Sequence, residues 1–309
     1  MRAPRSYDAR VRVVSLLPSA TEIMFALDRG DDVVGVTFEC DHPPAARSRR
    51  VVSTSSLPEG LAPGEIDALV SARIAAGEDL YHLDEQALSD LDADVILTQD
   101  LCAVCAVDVE RVDDALAYLG CSAEVVTLDP SSLDEVMQSI IAVGEIVGAR
   151  EMARRLVGAL RQRLDALTTA LGSAARREVV VLEWTDPPFS AGHWVPDLVA
   201  LGGGVPLLAH PGRNSERIEW RALRSAPAEV VVVAPCGYHL DAATALARDL
   251  VESGRVPSHA EVWAVDADSH FVRPGPRLVD GAEVVSQILH PERVGPPPED
   301  RARRVTTDR

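Results

Sequence analysis

The sequence predicts an α/β protein made of two lobes, each with a parallel sheet, joined by a long helix. Two observations lead to this fold class. Short β-branched runs alternate with longer helical patterns in both halves of the 309-residue chain, which is typical of parallel sheets covered by helices. Between the halves, about forty residues keep a helical period without a proline. A chain of this length also favours two domains over one.

Short apolar runs mark the predicted strands of both lobes, and their continuity is typical of strands buried on both faces. In the first lobe, residues 1–130, they read RVVSLL, DVVGV, DVILTQ and AEVVTL, at residues 12–17, 32–36, 94–99 and 123–128. In the second lobe, residues 173–292, they read VVVLEW, EVVVVAP and VWAVDAD, at residues 179–184, 229–235 and 262–268. Helical patterns lie between the runs, for example TEIMFAL after the capping-type residues Ser19 and Thr21.

The middle and the end of the chain have other patterns. Residues 131–172 predict either two packed helices or one long helix that joins the lobes, and we take the single connecting helix as the prediction. Three glycines, Gly144, Gly148 and Gly158, could bend it. The tail, residues 293–309, is rich in proline and charge and is predicted to be disordered.

Composition excludes some classes of function. The formal net charge is −18 and the chain contains no lysine, so its surface repels phosphate backbones and nucleic-acid binding is not expected. No apolar run approaches the roughly 18 to 20 residues that span a bilayer. The N-terminal run VRVVSLL is short and is followed by Pro18, unlike the apolar region of a signal peptide. We therefore expect a cytoplasmic protein with reduced cysteines.

Four segments together resemble one family. They read RVVSLLPSATEIMFAL with VVGVTFECDHPP, DLDADVILTQ, VLEWTDPPFSAGHWVPDLVALGGG and HFVRPGPRLVDGAEVVSQIL. The chain resembles, over about residues 10–290, the vitamin B12 and iron-siderophore class of substrate-binding proteins, and most of all the cobalamin-binding proteins that lack an export signal. The resemblance implies a class III periplasmic-binding-protein-like fold of two Rossmann-like lobes on a backbone helix. It also implies a cobalamin-like metal chelate held in the cleft between the lobes.

The position of the ligand also follows from the predicted strands, because ligands of open α/β sheets bind beyond the carboxyl ends of the strands. Large flat ligands are held by aromatic contacts and a few polar groups. From the segments at these ends we predict the ligand-binding residues Pro18, Ser19, Phe38, Glu39, Phe189, His193, Trp194, Tyr238 and His270. Two places depart from the family, since Glu39-Cys40 and His270 stand where cobalamin-binding relatives have aromatic residues.

The cysteines suggest a second kind of site. Cys102 and Cys105 form a C-x-x-C pair after a predicted strand, and Cys40 and Cys236 fall in other loops at strand ends. Thiolates select zinc, copper(I) or iron–sulfur clusters, so these four residues are candidate metal ligands. The bland alternative is that they are small apolar residues, as Cys121 is expected to be. A redox pair is disfavoured because the rest of the thioredoxin pattern is missing.

The sequence favours a binding protein over an enzyme, since it has no serine-hydrolase elbow, Walker loop or zinc-protease helix. The leading hypothesis is a protein that holds a cobalamin-like chelate. The first alternative is a cytoplasmic protein that carries a cysteine-ligated metal or iron–sulfur cluster in the same cleft, with possible catalytic use. The second is an exported ABC-transporter substrate-binding protein, for which the family implies one docking carboxylate on each lobe, near Glu85 and Glu219. Without an evident signal peptide, docking to an ABC permease is doubtful.

Overall fold

The computed structural model describes residues 11–99 and 123–306. The chain divides into two compact units. The first consists of Met1–Leu61, Ala68–Asp129 and Met137–Val157, and the second of Ala62–Asp67, Pro130–Val136 and Gly158–Arg309. Each unit contains one sheet, so the predicted pair of α/β lobes is confirmed.

The sheet of the first unit has the strand order β4-β3-β2-β1-β5-β6. Its strands are β1 (Val13–Ser15), β2 (Val33–Thr37), β3 (Arg50–Ser55), β4 (Tyr81–Leu83), β5 (Val95–Thr98) and β6 (Glu124–Thr127). All neighbours are parallel except β3 and β4. The helices along this part of the chain are Pro18–Ala26, Pro63–Ala76 and Glu85–Asp90, with 3₁₀ turns at Gly30–Asp32 and Pro44–Ser48. The first residues of Pro63–Ala76 belong to the second unit.

Strand β1 lies at the centre of the first unit, which explains its sequence. Val13 pairs with Val33 on one side and with Val95 on the other, and all three residues of the strand are buried. A strand with a neighbour on each edge and helices on its faces has no solvent-exposed side, so it reads as a continuous apolar run. Strands β1, β2 and β5 are parallel, and their carboxyl ends therefore meet at one edge of the sheet.

The sheet of the second unit has the order β10-β8-β7-β11-β12-β13, with β9 beside β7. Its strands are β7 (Arg177–Thr185), β8 (Pro188–Ser190), β9 (Gly204–Pro206), β10 (Glu216–Arg217), β11 (Val230–Val233), β12 (Glu261–Val265) and β13 (Ala302–Val305). The central strands β7, β11 and β12 are parallel, while β8, β10 and β13 are antiparallel to their neighbours. The described helices of this region are Val195–Leu201, Trp220–Ser225, Leu240–Glu252, Ala267–His270, Leu278–Leu289 and Pro291–Val294.

The predicted single helix at residues 131–172 is wrong. The structure has two helices, Leu133–Ile146 and Arg150–Leu171, separated by a short turn. Gly148 in this turn has φ 70°, a left-handed conformation that ends helices and that glycine adopts without a steric penalty. The guanidinium of Arg29 donates to the carbonyl of Val147, which satisfies one of the carbonyls left open where the first helix ends.

The predicted disorder of residues 293–309 is also wrong for the part that the structure describes. Pro291–Val294 is helical, and β13 pairs with β12, where Val305 lies opposite Val262. Both Ala302 and Val305 are buried, and Val305 belongs to the apolar core of the second unit. The two arginines between them are exposed, as expected for a strand at the edge of the sheet. In the described parts of the chain, no helix combines the length and the apolar character needed to cross a membrane.

Candidate functional site

Aromatic side chains stand at the carboxyl edge of the first sheet. Phe38 directly follows the last residue of β2, and 43% of its surface is exposed. Such exposure is unusual for phenylalanine, which is mostly buried in folded proteins. Its backbone N–H donates to the carbonyl of Ser53 at 3.1 Å, so its place at the edge is fixed by the sheet. Its ring lies 6.5 Å from the ring of Tyr81, measured between centroids. Phe38 is the best apolar contact surface among the predicted residues of this unit.

The other predicted residues of the first unit are less accessible. Ser19 is buried, Pro18 and Glu39 are half-buried, and the helix begins at Pro18 with Leu17 as its N-cap. Ser19 therefore does not cap the helix, contrary to the capping pattern of the sequence. Pro18 at the first helical position fits the helix, because its missing N–H would have no partner there.

Cys40 is part of a buried hydrogen-bonded chain of side chains. It is 3% exposed, and its Sγ lies 3.0 Å from Oγ1 of Thr21, whose hydroxyl donates to Oγ of Ser15 at 2.9 Å. Cys236 is half-buried in the second unit. No group of three or more potential ligands among residues 11–99 and 123–306 includes Cys40 or Cys236. The predicted ligands Cys102 and Cys105 lie outside the described residues, as does Cys121, so the metal site of four cysteines stays a prediction.

Trp194, predicted as a wall of the ligand site, is packed inside the second unit. It is 5% exposed, and its indole Nε1–H donates to the carbonyl of Phe271 at 2.7 Å. A buried indole with its only polar group satisfied contributes to the core. The helix Val195–Leu201 begins directly after it. This placement favours a structural role for Trp194 over contact with a ligand.

His193 lies where two loops cross closely. Its backbone has φ 51°, which is uncommon for a residue other than glycine, and its N–H donates to the carbonyl of Arg213 at 2.6 Å. The crossing requires glycine at position 192, because a Cβ there would lie 2.3 Å from the backbone nitrogen of Ser215. Burial lowers the pKa of His193, although a hydrogen bond with Asn214 opposes the shift. The ring is therefore neutral at neutral pH.

His270 is also more buried than a ligand-binding residue needs to be. It ends the short helix Ala267–His270, is 8% exposed, and its Nδ1 has no hydrogen-bond partner in the described structure. Burial lowers its pKa to about 4, and the nearby Asp280 and Asp266 only partly offset this effect. His270 is thus a neutral core histidine at neutral pH.

A pair of aromatic residues forms the carboxyl edge of the second sheet. Trp184, which the sequence analysis did not select, lies at the end of β7, and Tyr238 lies in the loop after β11. Their ring centroids are 5.8 Å apart with an interplanar angle of 62°, an edge-to-face arrangement. The indole Nε1–H of Trp184 is shared between the carbonyls of Pro63, at 3.2 Å, and Asp186, at 3.1 Å, which fixes its orientation. The half-buried Phe189 on β8 pairs with Trp184 across the sheet.

Polar side chains lie beside this aromatic pair, and none of them is among the predicted ligand-binding residues. Nδ1 of His239 is 3.0 Å from Oδ1 of Asp266, and its Nε2 is 3.8 Å from Oδ2 of Asp268. Arg273 forms an ion pair with Asp268. Burial alone would raise the pKa of Asp266, but hydrogen bonds from His239 and Ser269 more than offset it and hold the pKa below its usual value. Position after strands β11 and β12 was the signal that could have found these residues.

Comparison with known proteins decides the family. Residues 13–253 match the family described as periplasmic binding protein. The chain belongs to this family. Its fold is that of the class III members, as predicted, and includes both lobes.

Individual relatives point in the same direction. The chain is 27% identical over 292 residues to the uncharacterized ABC transporter substrate-binding lipoprotein YvrC of Bacillus subtilis, covering 91% of this chain and 80% of that protein. It is 25% identical over 280 residues to the vitamin B12-binding protein of Vibrio cholerae, covering 90% and 88%.

Solved structures share the fold. The periplasmic vitamin B12 binding protein BtuF of Vibrio cholerae has a TM-score of 0.61 at 22% identity, with 90% of this chain and 96% of that chain covered. A periplasmic heme binding protein from Pseudomonas aeruginosa has a TM-score of 0.66 at 21% identity, with coverage of 96% and 98%. At such identities these likenesses show the fold alone.

Membership of this family corrects the expected location. The prediction of a cytoplasmic protein is wrong, because the family is one of periplasmic binding proteins and the relatives include a lipoprotein and periplasmic proteins. The apolar run on which the prediction rested forms the central strand β1, so it carries no information about export. Of the alternatives in the sequence analysis, the findings favour the ABC-transporter substrate-binding protein, and a resident iron–sulfur cluster has no support. Members of the family bind solutes, which agrees with the expectation that the chain is not an enzyme.

Proposed function

We propose that the protein is the substrate-binding component of an ABC transporter and that its ligand is a flat metal chelate of the cobalamin kind. The proposal is supported by the family match, by the relatives named vitamin B12-binding protein, and by one observation on the molecule. Half-exposed aromatic residues stand at the carboxyl edge of each sheet, namely Phe38 with Tyr81 in the first unit and Trp184 with Tyr238 in the second.

The chemistry of these edges suits such a ligand. The faces of a corrin ring are large and apolar, and each aromatic pair offers it an apolar contact at low cost in side-chain entropy, because aromatic side chains have few rotatable bonds. The polar groups at the second edge, Asp266, Asp268, His239 and Arg273, could bind amide or carboxylate groups at the rim of the ring.

Heme is a second candidate, favoured by the heme-binding structural relatives. Heme and cobalamin are both flat tetrapyrrole chelates, but heme carries two carboxylates at its rim whereas the side groups of the corrin are mainly amides. The strongly acidic chain repels an anionic ligand at long range, which favours the corrin.

Substitution of the aromatic residues tests the site. Phe38→Ala and Trp184→Ala should each weaken cyanocobalamin binding by roughly tenfold or more, since a buried aromatic contact contributes about 1.5–3 kcal/mol. Val51→Ala is the matched control, because Val51 is an apolar residue of the first unit with a similar exposure, 44%, but lies near the amino end of β3. Isothermal titration calorimetry measures the affinity of all three variants for cyanocobalamin. Unchanged affinity in both aromatic variants would reject this site.

Docking to a permease completes the proposed function. Glu85 is half-buried in the first turn of the helix Glu85–Asp90, and Glu219 is exposed at the N-cap of the helix Trp220–Ser225. We expect Glu85→Arg and Glu219→Arg to reduce uptake of labelled ligand by cells while the dissociation constant of the purified protein stays the same. Normal uptake with both charges reversed would exclude these residues as docking contacts.

A further inference from the structure

The C-terminal segment forms an edge strand beyond the part of the chain that matches the family. Residues 298–305, which we call the C-terminal brace, include β13, which pairs antiparallel with β12 at the edge of the second sheet. Ala302 lies opposite Val265, the last residue of β12, and both are buried. The pairing of the two strands therefore stops directly before Asp266, the first residue after β12.

One backbone hydrogen bond continues this contact into the loop. The N–H of Asp266 donates to the carbonyl of Arg301 at 3.0 Å. The Asp266 carboxylate in turn accepts from the backbone N–H of Ser269 at 3.3 Å and lies 3.0 Å from Nδ1 of His239. The N–H of Asp268 also donates to the carbonyl of Tyr238 at 3.3 Å. We refer to residues 234–239 and residues 266–277 as two loops, the second of which contains the short helix Ala267–His270. Asp266, which is bonded to the brace, thus joins the two loops.

Two arginines of the brace reach the far ends of the same loops. Arg303 pairs with Asp241 in the first turn of the helix Leu240–Glu252, which follows the loop 234–239. Arg301 lies 3.7 Å from Asp280 in the first turn of the helix Leu278–Leu289, which follows the loop 266–277. Exposed ion pairs stabilise only weakly by themselves. Here they add to a paired strand and a backbone bond that act on the same two loops.

We propose that the C-terminal brace is a positioning element of the ligand-binding surface: it holds the loops 234–239 and 266–277 in one arrangement before the ligand arrives. This inference rests on the proposed function, because these loops carry Tyr238 and the polar groups beside it. Loops on a surface are ordinarily mobile. A loop that is ordered in advance lowers the conformational entropy that binding would otherwise cost, and this mainly slows dissociation.

The test uses the full chain with Arg301→Gln and Arg303→Gln combined. Amide hydrogen exchange in the loops 234–239 and 266–277 should become at least about threefold faster, and cyanocobalamin should dissociate about two to ten times faster. Arg304→Gln is the matched control, since Arg304 belongs to the same strand but pairs with Glu261 at the start of β12, at 3.3 Å. It should change neither rate. Combined Arg301→Lys and Arg303→Lys substitutions should leave exchange slow, because they keep the charges.

Four outcomes test the two proposals, and the last of them separates one from the other. Loop exchange that stays as slow in the double variant as in the wild type overturns the brace, and so does an equal acceleration in the Arg304→Gln control. Faster exchange without faster ligand dissociation also overturns it, since the brace would then stabilise the fold and leave the binding surface unaffected. A wild-type protein that binds no chelate, while its loops respond to the double variant as expected, rejects the proposed function and leaves the mechanical link from brace to loops established.

Discussion

Trp184 and Trp194 are ten positions apart in one segment of the sequence, yet their surroundings differ. Trp194 is buried and bonded to the carbonyl of Phe271, which is 77 positions away, whereas Trp184 is half-buried beside Tyr238. The sequence favours Trp194 because it lies with Phe189 in the segment PPFSAGHW, although Trp184 is the residue that ends a predicted strand. Which of the two indoles is buried depends on a tertiary contact with a distant loop, and no local pattern records it.

The cysteines and histidines show the same limit. Cys40 lies in a loop after a strand, as predicted, but it bonds to Thr21, whereas His270 ends a short helix and is buried. Position along the chain could be predicted because parallel strands and their loops leave a strong pattern. The exposure of each side chain could not be predicted from the sequence, since it is decided by packing against other segments. Cys40 and His270 therefore stay predictions as ligand contacts, and their burial argues for roles inside their units.

The buried His270 should make the free energy of unfolding depend on pH. Its pKa in the folded state is about 4, against an ordinary value of 6.5, because burial disfavours the charged ring. Above about pH 6.5 the ring is neutral in both states and the effect is absent. As the pH falls from 6.5 towards 4, the unfolded chain binds a proton that the folded chain excludes. Folding should then lose stability, by roughly 3 kcal/mol once the pH is below 4.

Urea unfolding at pH 7.5 and pH 5 measures this contribution. His270→Asn should show a smaller loss of stability between the two pH values than the wild type, whatever its stability at pH 7.5. His259→Asn is the control, because His259 is exposed, and it should keep the wild-type difference. Identical pH differences in all three proteins would mean that His270 is not the group responsible.

At the level of elements, strands with continuous apolar sequences could be predicted and the others could not. The seven apolar runs each overlap a strand of the structure, and every residue of β1, β5 and β11 is buried, as expected for strands covered on both faces. Strand β6 is an exception, because it lies at the edge of its sheet and has no buried residue. Strand β3 is partly exposed, and β13 has two exposed arginines between two buried residues, so neither forms such a run. Their pairing depends on the neighbouring strand, which a local pattern does not show.

Substitution of Gly148 and of Gly158 in the middle segment by alanine should change the free energy of unfolding in opposite directions. Gly148 ends a helix with φ 70°, where a Cβ is strained, so Gly148→Ala should destabilise the fold by about 1 kcal/mol or more. Gly158 lies inside the helix Arg150–Leu171, and a Cβ there would meet no atom within 4 Å. Gly158→Ala should therefore stabilise by roughly 0.5–1 kcal/mol. Urea unfolding of the two variants measures both changes, and a stabilised Gly148→Ala protein would contradict the break in the helix.

At the scale of the whole molecule, the sequence predicted the fold class and the family, whereas it misplaced the protein in the cell. The alternation of strands and helices extends over nearly the entire chain, so many residues contribute to the fold prediction. The location rested on one short run, VRVVSLL, which the fold itself needs as β1. Because this apolar run belongs to the core, it gives no evidence about export, and the family match corrected the prediction.

Titration of the purified, ligand-free protein with cyanocobalamin tests the central claim most directly. Isothermal calorimetry should give one site for each chain with a dissociation constant in the micromolar range or below, and thermal unfolding should shift upwards with ligand concentration, because the ligand binds the folded state. Hemin titrated in parallel identifies the alternative chelate. Saturable binding of cyanocobalamin with such a shift is the result that we predict. No saturable binding of either chelate, and no shift in unfolding, would contradict the proposal that the protein binds a flat metal chelate.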